Sequence, residues 1–312
     1  MDRLDVVYAW VDGGWPGYLD EVARYAGRPA DLNPNRYRDN LDLLKHSLRS
    51  LEAFAPWIER IHVLTARPQV PSWMNLDAPG LRLIHHDELF AARHLPTFSS
   101  FAIESHLFLV PDLSPRFLYF NDDMVLGRPL FPEDVMTEEG RARIHLEWNP
   151  SITRRSDAHP WRAAIGFANE LLDQAFGAVP ARRLVRHVPV MMEIERWQAL
   201  ARKWPEPLEA TRAARFRSGD AFAPEFLYPY FCLATGRATT VSRRVSYGQA
   251  AYIGLNNRGW LVSLQLALVH RLRPLFLTLN DNFDETASET VVASVRRFLE
   301  SWFPHPSRFE KQ

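Results

Sequence analysis

Cysteine is almost absent. Cys232 stands alone, so an intrachain disulfide and a cysteine-held metal cluster are both excluded. Net charge is absent as well: 37 Lys and Arg balance 37 Asp and Glu. That leaves no overall field to gather nucleic acid or an anionic membrane, and no nucleic-acid partner is expected. Long apolar runs are missing too. The longest near the C-terminus, WLVSLQLALVH (260–270), is too short to span a bilayer. The opening residues MDRLDVVYAWVDGG carry acids where a signal peptide has a basic flank and a longer apolar stretch. Together these absences predict a cytoplasmic protein without an integral membrane segment, with peripheral attachment at the inner face of the membrane left open. No internal repeat or low-complexity segment breaks the chain.

What is present is ordinary globular material. A chain of 312 residues that is 46% hydrophobic has core enough for one large domain or two smaller ones. Arginine greatly outnumbers lysine, and guanidinium forks suit phosphate groups. LDVVYAWV (4–11) reads as a strand buried on both faces, ended by the breaker cluster Asp12-Gly13-Gly14. LDLLKHSLRSLEAFA (41–55) sets Leu41, Leu44, Leu48 and Leu51 on one helical stripe, with Asp39 or Asn40 as N-cap. RIHVLTA (60–66), LRLIHH (81–86) and RFLYFNDD (116–123) read as strands, and SSFAIESHLFLV (99–110) as a helix. Alternating strands and helices predict an α/β fold with a mainly parallel sheet. From 151 to 235 the alternation gives way to proline, arginine and helical pieces at 166–176 and 189–203. The expected organisation is a single catalytic domain over 1–312. Its core is about 1–150 and 236–312, and an α-rich insertion or lid covers about 151–235. LFLTLNDN (275–282) is a late strand, and the closing helix places Val292, Val295, Leu299 and Trp302 toward the core.

The stretch FLYFNDDMVL (117–126) sets Asn121, Asp122 and Asp123 between flanks that can only be buried. Burying a carboxylate is costly unless it is paired or bound to a metal. In a parallel sheet, ligands sit at the carboxyl ends of strands, and Asp12-Gly13 and Asn121-Asp122-Asp123 both fall there. The plain alternative is a polar turn in which Asp caps the next segment.

The sequence resembles the Stealth family of hexose-1-phosphate transferases, whose eukaryotic member is the GlcNAc-1-phosphotransferase of lysosomal enzyme tagging. The resemblance has four blocks. DVVYAWVDG (5–13) is similar to the first. NRYRDN (35–40), HSLRSLEAFAPWIERIHVLTARPQVPSWMN (46–75), HLPTFSSFAIESHL (94–107) and FLYFNDDMVLGRP (117–129) carry the second. ANELLDQAFG (168–177), HVPVMME (187–193) and TRAARFRS (211–218) carry the third, and LTLNDNFDE (277–285) with FLESWFPHPSRFE (298–310) the fourth. His46 stands where the family usually has tyrosine. The resemblance implies a nucleotide-diphospho-sugar transferase-like (GT-A-like) α/β fold with helices flanking the sheet.

It also implies a reaction: a saccharide hydroxyl attacks the β-phosphorus of a UDP-hexose, with UDP-GlcNAc the expected donor. UMP leaves and a phosphodiester forms, in surface polysaccharide (capsule) synthesis beside an export complex. Such a transfer needs charge neutralisation, in-line positioning and a base. Asp122 and Asp123, completed by Asp281 and Asn282, are the candidate ligands of Mg²⁺ (or Mn²⁺). Asp12 and Gly13 suit contact with the donor, although Asp-Gly is also a common turn dipeptide. Arg36, Arg49 and Arg217 are candidates for the diphosphate; Arg49, on a helix, can equally make a surface or structural ion pair, and Arg217 has the better claim through its place in the third block. His187 is the candidate base, raised above the other histidines only by its place in the motif. Asp12 or Asp122 is the alternative base, with His187 then stabilising the leaving phosphate. Trp10 can stack on the donor or pack in the core. Two rivals stand beside this reading. One is a conventional metal-dependent glycosyltransferase that releases UDP, and the other a non-catalytic carbohydrate-binding protein.

Overall fold

The computed structural model describes residues 3–26, 41–150, 159–283 and 286–311. Its strands are Asp5–Ala9 (β1), Ile61–Thr65 (β2), Leu81–His85 (β3), Arg116–Asn121 (β4), Met124–Leu126 (β5), Ala142–Ile144 (β6), Leu146–Pro150 (β7), Arg183–Val185 (β8), Val190–Glu193 (β9), Ala238–Thr240 (β10), Ala250–Leu255 (β11) and Phe276–Asp281 (β12). The principal sheet runs β3-β2-β1-β4-β9. It is parallel except for β9, which lies antiparallel on β4. Val6, Val7 and Tyr8 of β1 are fully buried, as a central strand covered on both faces requires. The order reverses between β1 and β4, and the loops leaving these two strands diverge around a crevice at their carboxyl ends.

Only Asp122 and Asp123 separate β4 from β5, which belongs to a second sheet ordered β11-β12-β5. The helix Leu43–Phe54 bridges the two sheets. Its Leu44, Leu48 and Leu51 join the core around β1, and Leu43 joins the core around β12. Two buried serines stitch it in place. Ser47 Oγ donates to the Met124 carbonyl and so accepts from Tyr8 Oη at 2.7 Å. Ser50 Oγ accepts from Leu126 N at 2.9 Å. The expected N-caps Asp39 and Asn40 lie outside the described residues. Gly127 then passes so close to the neighbouring chain that a Cβ there would stand 2.3 Å from the Pro274 carbonyl oxygen.

Three sequence expectations need correction. The helix expected over 99–110 is Ser100–Glu104 followed by a 3-10 turn at Leu107–Leu109. Ser105 Oγ and His106 Nδ1 both bond back to the Ala102 carbonyl, which competes with helical continuation. The helical piece expected over 189–203 begins only at Ile194. The four residues before it form β9, because the open edge of β4 supplies backbone partners that local propensity does not register. The closing helix, Glu289–Trp302, buries Val291 with Val295, Leu299 and Trp302, while Val292 is only partly covered.

The helices Pro160–Phe176, Ile194–Lys203, Pro205–Ala213 and Pro224–Ala234 share the core of the principal sheet. Trp197 stacks between Phe108 and Tyr228 with centroids 5.5 and 4.9 Å away. Among the described residues no helix is long and apolar enough to cross a membrane.

Asp5 anchors the start of β1. Its fully buried carboxylate takes Arg60 Nη2 at 2.7 Å and Ser114 N at 2.9 Å, with His62 Nε2 at 3.4 Å. Burial alone would raise its pKa, but His62, Arg60 and Ser114 together hold it far below the usual carboxylate range. A depressed folded-state pKa contributes stability that is complete above the unfolded value near 3.8 and is lost as the pH falls below it. Asp5→Asn should therefore cost about 3 kcal/mol at pH 7. Urea melts at neutral and acid pH should show that gap closing below pH 4; a constant gap would assign the loss to packing alone.

Candidate active site

The Asn121-Asp122-Asp123 turn meets the end of β12. Leu279 N donates to the Asp123 carbonyl at 2.9 Å, and Asn280 Nδ2 donates to Asp123 Oδ2 at 2.9 Å. The other carboxylate oxygen, Asp123 Oδ1, lies 3.3 Å from His187 Nε2. His187 arrives there because β9 pairs with β4, and it is held by Thr278 Oγ1 donating to its carbonyl at 2.6 Å. Burial would depress both charges of the pair. For His187 the carboxylates of Asp123, Glu225 and Glu104 outweigh burial and push the imidazole up to about 9. For Asp123, His187 and Asn280 likewise outweigh burial and hold the carboxyl below its ordinary value.

Two cavities share this wall. The smaller, about 220 Å³, is lined by Trp10, Asp122, Asp123, Asp281 and Arg217. The larger, about 460 Å³, is lined by His187, Glu104, Glu225, Tyr252 and Asn282, again with Arg217. Ser100, Tyr119, Asn121 and Asn280 face both. Arg217 sits between them, with Nη2 2.9 Å from Ser100 Oγ and its guanidinium over the Phe101 ring at 5.0 Å.

The candidates divide. Trp10, Asp122, Asp123, Asp281 and Arg217 converge on the smaller cavity, and His187 adjoins it from the larger one. Asn282 turns away: its Nδ2 donates to Tyr252 Oη at 3.1 Å, and Asn280 stands at Asp123 in its place. Asp12 builds the turn after β1. Its Oδ1 accepts from Gly14 N at 2.8 Å, and Gln69 holds its backbone. Gly13 lies in that same turn, so Trp10 and Val11 line the cavity instead. Arg49 is not at the site. Its fork grips Glu310 at 2.8 and 2.6 Å and donates to the Phe303 carbonyl. Arg36 lies outside the described residues.

Among the described residues no three His, Cys, Asp or Glu side chains converge into a ready cation cage. Mg²⁺ typically takes one or two carboxylates plus substrate phosphates, and Asp122 with Asp281, facing one cavity, fit that requirement. Asp123 is committed to His187 and Asn280.

Sequence reasoning missed Glu104 and Glu225. Glu104 is almost fully buried. Burial, reinforced by repulsion from Glu225 and opposed by Arg217, His187 and Tyr119, pushes its carboxyl up to about 8. Trp161 Nε1 donates to Glu225 Oε1 at 2.7 Å. The signal was a lone carboxylate in the apolar helix SFAIE, one turn after Ser100. A raised folded-state pKa makes stability fall as pH rises from about 4.5 toward 8. Glu104→Gln should hence stabilise the fold by on the order of 1–3 kcal/mol at pH 8 and by little at pH 5. Thermal melts at the two pH values check this; equal shifts would mean that ionisation is not the cause.

Family models for the Stealth protein conserved regions match this chain: region CR2 over residues 36–144, CR3 over 186–234 and CR4 over 268–312. An exopolysaccharide phosphotransferase of Streptomyces coelicolor is 36% identical over 99% of this chain and 52% of its own length. The exopolysaccharide phosphotransferase CpsY of Mycobacterium leprae is 35% identical over 99% of this chain and 57% of its own. The chain thus spans about half the length of these curated relatives. Among solved structures, the bifunctional glycosyltransferase WbbM aligns with a TM-score of 0.48 at 10% identity, over 98% of this chain and 50% of that one. The galactosyltransferase LgtC aligns with a TM-score of 0.43 at 13% identity, over 96% and 95%.

Proposed function

The chain belongs to the Stealth family, and from that premise we propose that it is a sugar-1-phosphate transferase in exopolysaccharide synthesis. A UDP-hexose, UDP-GlcNAc first among them, occupies the smaller cavity, and a saccharide acceptor enters the larger one. The acceptor hydroxyl attacks the β-phosphorus, the bond from that phosphorus to the bridging oxygen breaks, and UMP leaves. The hydroxyl proton passes to His187. The enzyme works on the cytoplasmic side, at the inner face of the membrane beside the export machinery.

The observation that carries this reading is the His187–Asp123 pair in the wall between the two cavities. It sets a carboxylate-supported imidazole on the acceptor side, with Arg217 reaching both sides to meet phosphate oxygens. Asp122 and Asp281 are the residues to hold Mg²⁺ or Mn²⁺, which would neutralise charge on the diphosphate. Trp10 forms a wall for the donor. The exopolysaccharide phosphotransferases at 36% and 35% identity support the same chemistry.

The nucleotide product distinguishes this reaction from ordinary glycosyl transfer. Incubated with a panel of UDP-sugars and acceptor saccharides, the enzyme should release UMP, and EDTA should stop it. UDP as product would overturn the proposal, and turnover indifferent to EDTA would remove the metal.

A base must be neutral to accept a proton, so an imidazole raised to about 9 makes the rate climb with pH toward that value. His187→Ala should lower kcat by roughly 10²–10⁴, leave donor affinity unchanged and flatten the alkaline climb. A wild-type rate that instead falls between pH 7 and 9 would give His187 the role of a phosphate-facing cation.

A further inference from the structure

The helix Gly259–Leu272 connects β11 to β12 and covers the outside of the second sheet. It is apolar on two sides. Val262, Leu266 and Val269 pack inward. Trp260, Leu264, Leu268 and Leu272 recur every fourth residue on the opposite side and are 72, 62, 53 and 65% exposed. A regular stripe of large side chains in water is not a random scatter of surface apolar residues. The phosphotransfer site makes no use of it.

We propose that this stripe is a docking surface for an anionic phospholipid bilayer. Charge complementarity favours that occupant. Exposed Arg258 precedes the helix, and exposed Arg271 and Arg273 close it. No Asp or Glu occurs anywhere from 256 to 280, although the whole chain is neutral. Tryptophan and leucine on one side with arginine at the ends is the pattern of a helix lying in the headgroup plane. Size argues against a second copy of the chain. A single stripe about 18 Å long offers far less than the roughly 800 Å² per partner of a stable protein interface, whereas shallow insertion into lipid needs only such a stripe.

Orientation adds a consequence. β11 and β12 are parallel, so the helix starts at their carboxyl ends, where Asn282 N bonds the Leu255 carbonyl at 3.1 Å. Trp260 therefore lies at the same end of the sheet as Asp281 and Asn282. Docking brings the mouth of the site to the bilayer surface. The inference is independent of which bond the enzyme breaks, since lipid binding needs no donor.

Flotation with vesicles tests it. The protein should float with phosphatidylcholine vesicles containing phosphatidylglycerol, far less with phosphatidylcholine alone, and less as salt rises. Leu264→Gln/Leu268→Gln should weaken binding at least about tenfold while its thermal melt and its turnover of a water-soluble acceptor stay those of the wild type. Arg271→Gln/Arg273→Gln should weaken binding to anionic vesicles alone. Failure of the wild type to float, or binding untouched by both pairs of changes, overturns the proposal. So does a concentration-dependent dimer that the leucine changes abolish, which would assign the stripe to a second copy. None of these failures touches the phosphotransfer reading, which rests on the nucleotide released.

Discussion

Two hydrogen bonds from the end of β12 to Asp123, one to its carbonyl and one to its carboxylate, hold the principal and second sheets together at the point where chemistry is expected. The chain leaves the principal sheet at Asn121 and enters the second at Met124, so the acidic turn is the seam between them. That position explains why carboxylates can sit amid buried strands. Asp123 is satisfied by Asn280 and His187, and Asp122 opens onto a cavity. Without the seam, β5 would lose its register on β12, and the cavity would lose its floor.

The site carries an electrostatic conflict that the fold sustains. Glu104, Glu225 and Asp123 surround His187, and Arg217 is the one cation among the described residues that lines both cavities. Crowding carboxylates keeps the imidazole charged and keeps Glu104 protonated, since like charges in a buried space cannot all ionise. The raised carboxyl of Glu104 costs folding stability, whereas the raised imidazole of His187 and the lowered carboxyl of Asp123 contribute to it, and strongly perturbed groups gathered in a cleft are characteristic of functional sites. The buried ion cluster at Asp5 differs in kind. There the charges are matched by direct partners, and the result is anchorage without reactivity.

Much of this was legible in the residues. Unbroken β-branched and aromatic runs gave the central strands, and their breakers placed Asp12-Gly13 and the acidic turn at carboxyl ends, although it is Trp10 and Val11, not Asp12-Gly13, that line the cavity there. Arg217 and His187 could be named through motifs, although nothing local indicated that β9 would bring His187 to Asp123. That contact depends on a non-local pairing along the edge of β4. Arg49 was open between phosphate and a structural ion pair, and it makes the ion pair: a guanidinium on a helix has no preference between a phosphate and a carboxylate, and Glu310 lies too far along the chain for sequence to connect them. Glu104 was hidden inside an apolar helix, where a carboxylate reads as a surface position until burial is known. Net neutrality likewise concealed the arginine-flanked stripe of 258–273, because a whole-chain sum averages over local patches.

The fork of Arg49 on Glu310 closes a loop of 261 residues. Loop closure over such a span must be paid in entropy before the contact rewards it, and long-range pairings of this kind slow folding. On a ribosome the helix Leu43–Phe54, which carries the serines joining the principal and second sheets, waits for Glu310, 261 positions after Arg49, before that anchor exists. The same holds for β5, whose partner β12 is also made late. Assembly of the crevice therefore waits for β12 and Glu310, and until they emerge the nascent chain leaves the partner edge of β5 uncovered.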